Sequence, residues 1–309
     1  MKGYIMQLQP FSVNDGDGIR TTVFMPGCPL RCKWCSNPEG FDTAAKIGWY
    51  KRKCVGCGAC AKACPQGIGI NLNFEREKCI ACGKCAEVCP AEARVSMVRL
   101  MDADDILAEI QKHRLFYSYS GGGVTFSGGE ATSQPEFLDY LSRELYDMGY
   151  SMDIETSGMF DWDRLEPSLA RMDLIFMDLK IFDSSRHKEY TGVTNERILQ
   201  NIANLAKLKT TAPVLTGDGK SAPEIVIRIP VIGGVNDDDG NIRDSAAYVH
   251  KHVPDAKMEL LPYHRYGMIK YEALGIPYDH PEFSTPSKAR MEELRQIVRE
   301  EGVEIADFR

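Results

Sequence analysis

The sequence predicts an α/β protein, a parallel sheet with helical crossovers, interrupted near its start by a small cysteine-rich insertion. Three observations predict it. Beyond residue 100, apolar strand-like runs such as Leu174-Ile175-Phe176-Met177-Asp178 and Ile225-Val226-Ile227-Arg228-Ile229-Pro230 alternate with segments of helical period. All eleven cysteines precede residue 90, in the groups 28–35, 54–64 and 79–89. Between residues 49 and 97 the composition shifts, and a four-cysteine motif occurs twice, 25 residues apart.

Residues 3–8 and 21–24 read as short strands, with the glycine-containing loop 15–20 between them. A helix is expected over 104–112, with Ile106, Leu107 and Ile110 on one side. Residues 121–130 read as a loop, a strand and a glycine-rich strand end, followed by a helix over 134–148. Strands then fall at 152–156, 174–178, 225–230 and 258–261, separated by helices near 162–170, 195–208 and 242–252. Residues 210–224, with their Gly and Pro, read as an exposed loop. The last helix is expected to start at Thr285-Pro286 and to bury Met291, Leu294, Ile297 and Val298, and 303–305 reads as a final strand. About six β/α units result, fewer than an eightfold barrel needs. Alternation alone fits a partial barrel and a doubly wound open sheet equally.

At 309 residues, 43% hydrophobic and 26% charged, the chain has the composition of a globular protein with room for one large and one small domain. No apolar run reaches the roughly 18 residues of a membrane span, and the N-terminus lacks a signal-peptide core, so a cytoplasmic location is expected. The net charge of −7 without a long basic run argues against nucleic acid as the main partner. Protein or small-molecule partners are expected instead.

An odd number of cysteines in a reducing compartment argues for metal binding over a disulfide framework. Cys54-x2-Cys57-x2-Cys60-x3-Cys64-Pro65 and Cys79-x2-Cys82-x2-Cys85-x3-Cys89-Pro90 match the bacterial ferredoxin run, in which the fourth cysteine ligates the other cluster. Cys54, Cys57, Cys60 and Cys89 are therefore assigned to one [4Fe–4S] cluster, and Cys79, Cys82, Cys85 and Cys64 to the second. A pair of zinc sites is the competing reading, disfavoured by two complete copies of the run. Cys28, Cys32 and Cys35 form a different set. Three thiolates hold three corners of an iron–sulfur cube and leave one iron open to a substrate. The plain alternative, free or zinc-bound thiols, lacks a fourth zinc ligand nearby.

In α/β folds the site forms at the C-terminal ends of the parallel strands, where several polar residues of this sequence fall. Gly128-Gly129-Glu130 ends one strand, and Glu130 could accept from a cationic amine; taken alone the motif is a turn. Glu155-Thr156 ends the next, and Asp178 with Lys180 the one after; each alone could be a solvated rim charge. Arg228, inside an apolar strand, needs a ligand carboxylate or an acidic neighbour. His264 follows a strand. His187 and His250 have no such context and read as surface residues.

The run Gly27-Cys28-Pro29-Leu30-Arg31-Cys32-Lys33-Trp34-Cys35, followed by Ser36-Asn37-Pro38-Glu39, resembles the cluster loop of the radical S-adenosylmethionine (SAM) enzymes. With Asp15-Gly16-Asp17-Gly18-Ile19-Arg20 upstream, the chain resembles the activating enzymes of glycyl radical enzymes. The resemblance implies a partial (β/α)6 TIM-like barrel over 1–48 and 98–309, with an inserted ferredoxin-like domain over 49–97. It implies three [4Fe–4S] clusters and SAM, whose amino group Gly128, Gly129 and Glu130 would hold. Glu155, Thr156, Asp178 and Lys180 would gather at the SAM carboxylate and could hold a monovalent cation, with Asp178 and Lys180 as the catalytic candidates. Arg228 joins them as a SAM contact, and His264 would lie near the nucleoside. Asp15 and Arg20 would meet the partner's glycyl peptide. Two departures from the family stand out: Asp17 replaces a proline, and Glu155 stands where some relatives carry Asp.

The implied reaction is reductive cleavage of SAM, followed by abstraction of a hydrogen atom from a backbone glycine of a partner glycyl radical enzyme. A flavodoxin or ferredoxin would supply electrons, the two extra clusters would relay them inward, and the chain would act as a monomer. A radical SAM enzyme acting on a small molecule or another peptide is the nearest alternative. A pure electron-transfer protein, with the triplet structural, is the alternative of a different class.

Overall fold

The computed structural model describes residues 1–217, 221–278, 280–306 and 308. Among the described residues the strands are β1 (Lys2–Ile5), β2 (Gln7–Ser12), β3 (Arg20–Met25), β4 (Lys46–Trp49), β5 (Arg94–Asp102), β6 (Gly123–Gly128), β7 (Ser151–Thr156), β8 (Leu174–Asp178), β9 (Glu224–Val231), β10 (Lys257–Pro262) and β11 (Glu304–Ile305). Eight build the main sheet in the order β11-β10-β9-β8-β7-β6-β3-β2. All of its pairings are parallel except β2 with β3. This is a mixed α/β fold on a parallel sheet. β1, β5 and β4 form a separate antiparallel sheet. The segment expected as one strand over 3–8 is thus two, which change sheets at Met6.

Strand alternation decides what the two faces of the main sheet carry. Val124, Phe126, Ile154, Ile175, Met177, Ile227, Ile229, Met258 and Leu260 point one way, into the large core beneath the helices. Their neighbours Thr125, Ser127, Asp153, Glu155, Phe176, Asp178, Arg228 and Glu259 point the other way. That face is polar yet enclosed, with Thr125, Asp153, Arg228 and Glu259 all buried. Such a face persists only where its groups find partners or a ligand.

The expected helices appear in order, joined by Arg114–Ser120, Ser184–Thr191 and Met268–Leu274, which the sequence reading did not anticipate, and two expected bounds differ. Residues expected as a loop over 210–224 begin with the helix Leu208–Thr216, because Leu208 and Ala212, four apart, are buried against the core. Pro213 is tolerated inside it, and Gly217 ends it at φ +72°. The remainder of that expected loop includes 218–220, outside the described residues. The last helix runs Lys288–Glu300, and its cap is Ser287, whose hydroxyl accepts from the Arg290 amide. Thr285 instead donates to the Tyr263 carbonyl.

The segment between β4 and β5 carries the eight later cysteines and two short helices, Ala59–Ala63 and Lys84–Glu87. Its backbone repeats: left-handed residues at Gly56, Gly58 and Gly67 recur 25 positions later at Ala81, Gly83 and Glu92. The copies keep the conformation even where glycine is lost, which marks a structural duplication. Among the described residues no helix is long and apolar enough to cross a membrane.

Candidate functional site

β3 ends at Met25, and the chain turns through Gly27, at φ +106°, into the three-cysteine loop. The amides of Gly27 and Cys28 both donate to the Gly40 carbonyl, at 2.7 and 2.9 Å. On the other side, Arg31 and Lys33 amides donate to the carbonyls of Thr191 and Tyr190, at the end of the helix Ser184–Thr191. The loop is therefore clamped at both flanks. Leu30, Cys32 and Trp34 are buried with Ile181, Ile232, Val235, Tyr263 and Phe283, and Cys28 and Cys35 pack against the same group. Burial raises all three thiols: Cys28 and Cys35 are pushed up, and Cys32 to about 12, with Lys180 opposing the shift at each. A metal group that displaces their protons would be held in an apolar wall with one cation beside it.

The end of β6 meets this loop closely. Gly128, at φ +125°, has no space for a side chain, since a Cβ would sit 2.3 Å from the Met25 backbone. At Gly129 a Cβ would sit 2.5 Å from the Gly40 carbonyl oxygen. Two glycines in a row are thus what lets β6 pass under the cluster loop.

Glu130 differs from its expected role. Its carboxylate is buried and accepts five hydrogen bonds from the chain itself: the Thr132 amide and hydroxyl, the Thr156 hydroxyl at 2.7 Å, and the Ser157 amide and hydroxyl. Those donors fill the lone pairs that an amine would need. Glu130 and Thr156 act together to lock the ends of β6 and β7.

Arg228 and Glu155 are likewise committed to each other. The Arg228 guanidinium bonds Glu155 and lies 2.6 Å from Glu259, stacked over the Phe176 ring. The second oxygen of Glu155 accepts from Ser127. The two residues expected at the SAM carboxylate therefore form an internal ion triad, the structural alternative that a lone buried arginine always carries. Burial raises the Glu155 carboxyl, and Arg228 opposes the shift.

Asp178 and Lys180 remain at the strand ends beside the cysteines. Lys180 Nζ is 2.6 Å from Asp178 Oδ2, and its charge acts on Cys28, Cys32 and Cys35. Burial opposes the Lys180 charge, yet Asp178 and the neighbouring thiols keep it well above the usual lysine range. Asn236, which the sequence reading passed over, holds this turn by donating to the Lys180 and Pro230 carbonyls. Lys270, also passed over, bonds Asn37 and Glu39 next to Cys35. Neither carries a motif; each is a single polar residue in a loop or a short helix.

His264 is exposed and stacks on Tyr266 at the rim. His187, expected at the surface, is fully buried: its Nδ1 lies 2.6 Å from the Val193 carbonyl, under the turn that clamps the cysteine loop. Arg20 is buried as well. Its guanidinium bonds Thr125, the Asp17 and Val124 carbonyls, and Asp153 at 3.1 Å, so it braces the starts of β3, β6 and β7 instead of facing a peptide. Asp15 is half-exposed and accepts from Thr22.

In the insertion, two pockets that open to solvent lie side by side. Cys64, Cys79, Cys82 and Cys85 line the first; Cys54, Cys57 and Cys89 line the second, and Cys60 lines both. Arg94 also lines both, and its Nε and Nη1 are buried without an acceptor among the described residues. Among the described residues no group of three or more His, Cys, Asp or Glu is arranged to hold a single metal ion.

Residues 22–246 match the family described as the Radical SAM superfamily. The chain is 38% identical over 287 residues to the (2S)-3-sulfopropanediol dehydratase activating enzyme of Klebsiella oxytoca, covering 89% of this chain and 86% of that one. It is 35% identical to the indoleacetate decarboxylase activating enzyme of Tractidigestivibacter scatoligenes, covering 98% and 96%. It is 36% identical to the choline trimethylamine-lyase activating enzyme of Oleidesulfovibrio alaskensis, covering 96% and 95%. A radical SAM methyltransferase from Sphaerobacter thermophilus shares the fold at a TM-score of 0.50 and 15% identity, over 98% of this chain and 76% of that one.

Proposed function

Because the chain belongs to the radical SAM superfamily, and within it to the activating enzymes of glycyl radical enzymes, we propose that Cys28, Cys32 and Cys35 hold its SAM-cleaving [4Fe–4S] cluster and that the insertion holds two more. When bound, the first cluster supplies the electron that breaks a carbon–sulfur bond of SAM, giving the radical that takes a hydrogen atom from a partner's glycine. The observation that carries the reading is the meeting of three clamped, apolar-walled thiols with Lys180 and Asp178 at one end of a parallel sheet.

The chain's own residues divide the remaining work. Lys180 offers a buried cation to a substrate carboxylate, and Asp178 offers an acceptor beside it. Gly128 and Gly129 give the backbone its close approach, with Glu130 and Thr156 as positioning residues. Glu155 is already engaged by Arg228 and Ser127, so a monovalent cation would rest on Asp178 rather than on Glu155. Leu30, Trp34, Tyr263 and Phe283 exclude water around the reacting end. His264, exposed at the rim, would meet the nucleoside, and the half-exposed Asp15 the glycyl peptide.

Two cavities lined by the crossed cysteine sets support a ferredoxin-like insertion over 49–97. The open order of the main sheet, with β2 and β11 as its ends, supports a partial barrel over 1–48 and 98–309. For the electron donor, a flavodoxin or ferredoxin is supported by charge. Lys51, Arg52, Lys53 and Lys62 are exposed around Cys57, residues 50–69 contain no carboxylate, and none of the four forms an ion pair among the described residues. Glu87 and Glu92, on either side of Cys89, are the acids nearest in sequence to that ligand set. The second copy is balanced, with Lys78 paired to Glu75. A monomer working in the cytoplasm completes the reading.

The test is anaerobic reconstitution with iron, sulfide, SAM and candidate glycyl radical enzymes. A glycine-centred paramagnetic doublet on a partner is expected. Its absence with every candidate, while SAM is still cleaved, would contradict activation and leave a small-molecule substrate.

A further inference from the structure

The side chain of Arg94 is 4% exposed and carries no carboxylate partner among the described residues. Its Nη2 donates to the carbonyls of Gly69 and Ile70 at 3.1 and 2.6 Å. Its guanidinium lies over the Trp49 ring, 5.6 Å from the centroid. Among the described residues Nε and Nη1 meet no acceptor, and the residue lines both cysteine cavities. Its charge acts on Cys85, from one cysteine set, and on Cys89, from the other. A buried arginine with two idle donors is costly on its own. The cost disappears if the acceptors are the sulfurs of an anionic group on each side.

Resting on the reading of two clusters in the insertion, we propose that Arg94 is a positioning residue shared by both, donating Nε and Nη1 to their sulfurs and holding both reduction potentials up together. Adding an electron makes each cluster more negative, so a fixed cation and hydrogen bonds to sulfur favour the reduced form. One residue between two clusters makes their potentials move as a pair. Arg76 provides the contrast. Its Nε is also unpartnered, but its charge acts on Cys79 alone of the eight ligands, and its other nitrogens bond Ile47, Asn73 and Ala273.

The test is a redox titration of the fully loaded protein, followed by electron paramagnetic resonance, comparing wild type with Arg94→Gln and Arg94→Lys. Iron content is read first: about twelve irons per chain are expected from three four-iron clusters. About four in the wild type would overturn the cluster reading and this proposal with it. At full iron content, Arg94→Gln is expected to lower both insertion potentials while leaving the SAM-binding cluster unchanged, and Arg94→Lys to restore part of the shift. A shift in one cluster only, or in neither, would overturn the proposal. Should Arg94→Gln lose iron, Arg94→Lys is expected to regain it; equal loss in both would overturn the electrostatic role in favour of a purely structural one.

Discussion

Lys180 and Asp178 form a contact of 2.6 Å at the end of β8, next to the three-cysteine loop. The lysine is nearly enclosed while the carboxylate keeps partial contact with solvent. The pair can therefore open on one side without stranding a buried charge, which suits a cation that must turn toward an arriving carboxylate.

Replacing Lys180 by Met tests this. A charge-assisted hydrogen bond is worth about 1.5–3 kcal/mol, so the KM for SAM is expected to rise about ten- to hundredfold in assays of 5′-deoxyadenosine formation. Melting temperature is expected to change little. An unchanged KM would remove Lys180 from the site.

Glu130→Gln turns one carboxylate oxygen into an amide donor facing donors from Thr132, Thr156 or Ser157. The expected cost is about 2–3 kcal/mol of folding stability, read by thermal unfolding. If Glu130 instead bound only the amine of SAM, the variant would melt like wild type and lose affinity alone.

Much of this site was legible in the sequence, for reasons that particular residues make plain. The cysteine sets stood out by spacing, and Cys64 lines one pocket with Cys79, Cys82 and Cys85 while Cys89 lines the other with Cys54 and Cys57. Strands β6 to β10 announced themselves by apolar runs. The partners of charged residues were not legible. Arg228 reads the same whether it faces a ligand or Glu155 and Glu259, since those lie on other strands. His187 read as a surface residue because the helix Ser184–Thr191 is mostly polar, and only the packing of its end against the cysteine loop buries it. Arg20 sat in a polar, glycine-rich loop motif that gave no sign of burial, yet the chain folds it inward onto Asp153.

The buried His187 also sets a pH dependence. Burial lowers its affinity for protons in the folded chain, with the Val193 hydrogen bond opposing the shift. As pH falls through the unfolded value, near 6.5, the unfolded chain takes a proton that the folded chain refuses, so stability falls with acidity. The slope is at most about 1.4 kcal/mol per pH unit. His187→Gln is expected to be less stable at neutral pH and to close the gap as pH drops toward 5, measured by denaturant unfolding. A constant gap would show that the histidine is not held neutral.

Reversing Lys51, Arg52 and Lys53 to Glu tests the donor surface. Steering by opposite charge changes association rates by about tenfold to a thousandfold and is screened by salt. Reduction of the loaded protein by flavodoxin hydroquinone, followed by stopped-flow absorbance, is expected to slow about tenfold or more at low salt. Reduction by photoreduced deazaflavin is expected to stay unchanged. Equal flavodoxin rates for the variant and wild type at every ionic strength would place the donor elsewhere.

The most direct measurement compares SAM cleavage in wild type, Cys32→Ala and Cys57→Ala, each reconstituted anaerobically and driven by photoreduced deazaflavin. Wild type and Cys57→Ala are expected to release 5′-deoxyadenosine, because a small reductant does not need the insertion. Cys32→Ala is expected to release none while keeping the irons of the insertion. A Cys32→Ala protein that cleaves SAM at the wild-type rate would contradict the assignment of the reaction to the three-cysteine loop.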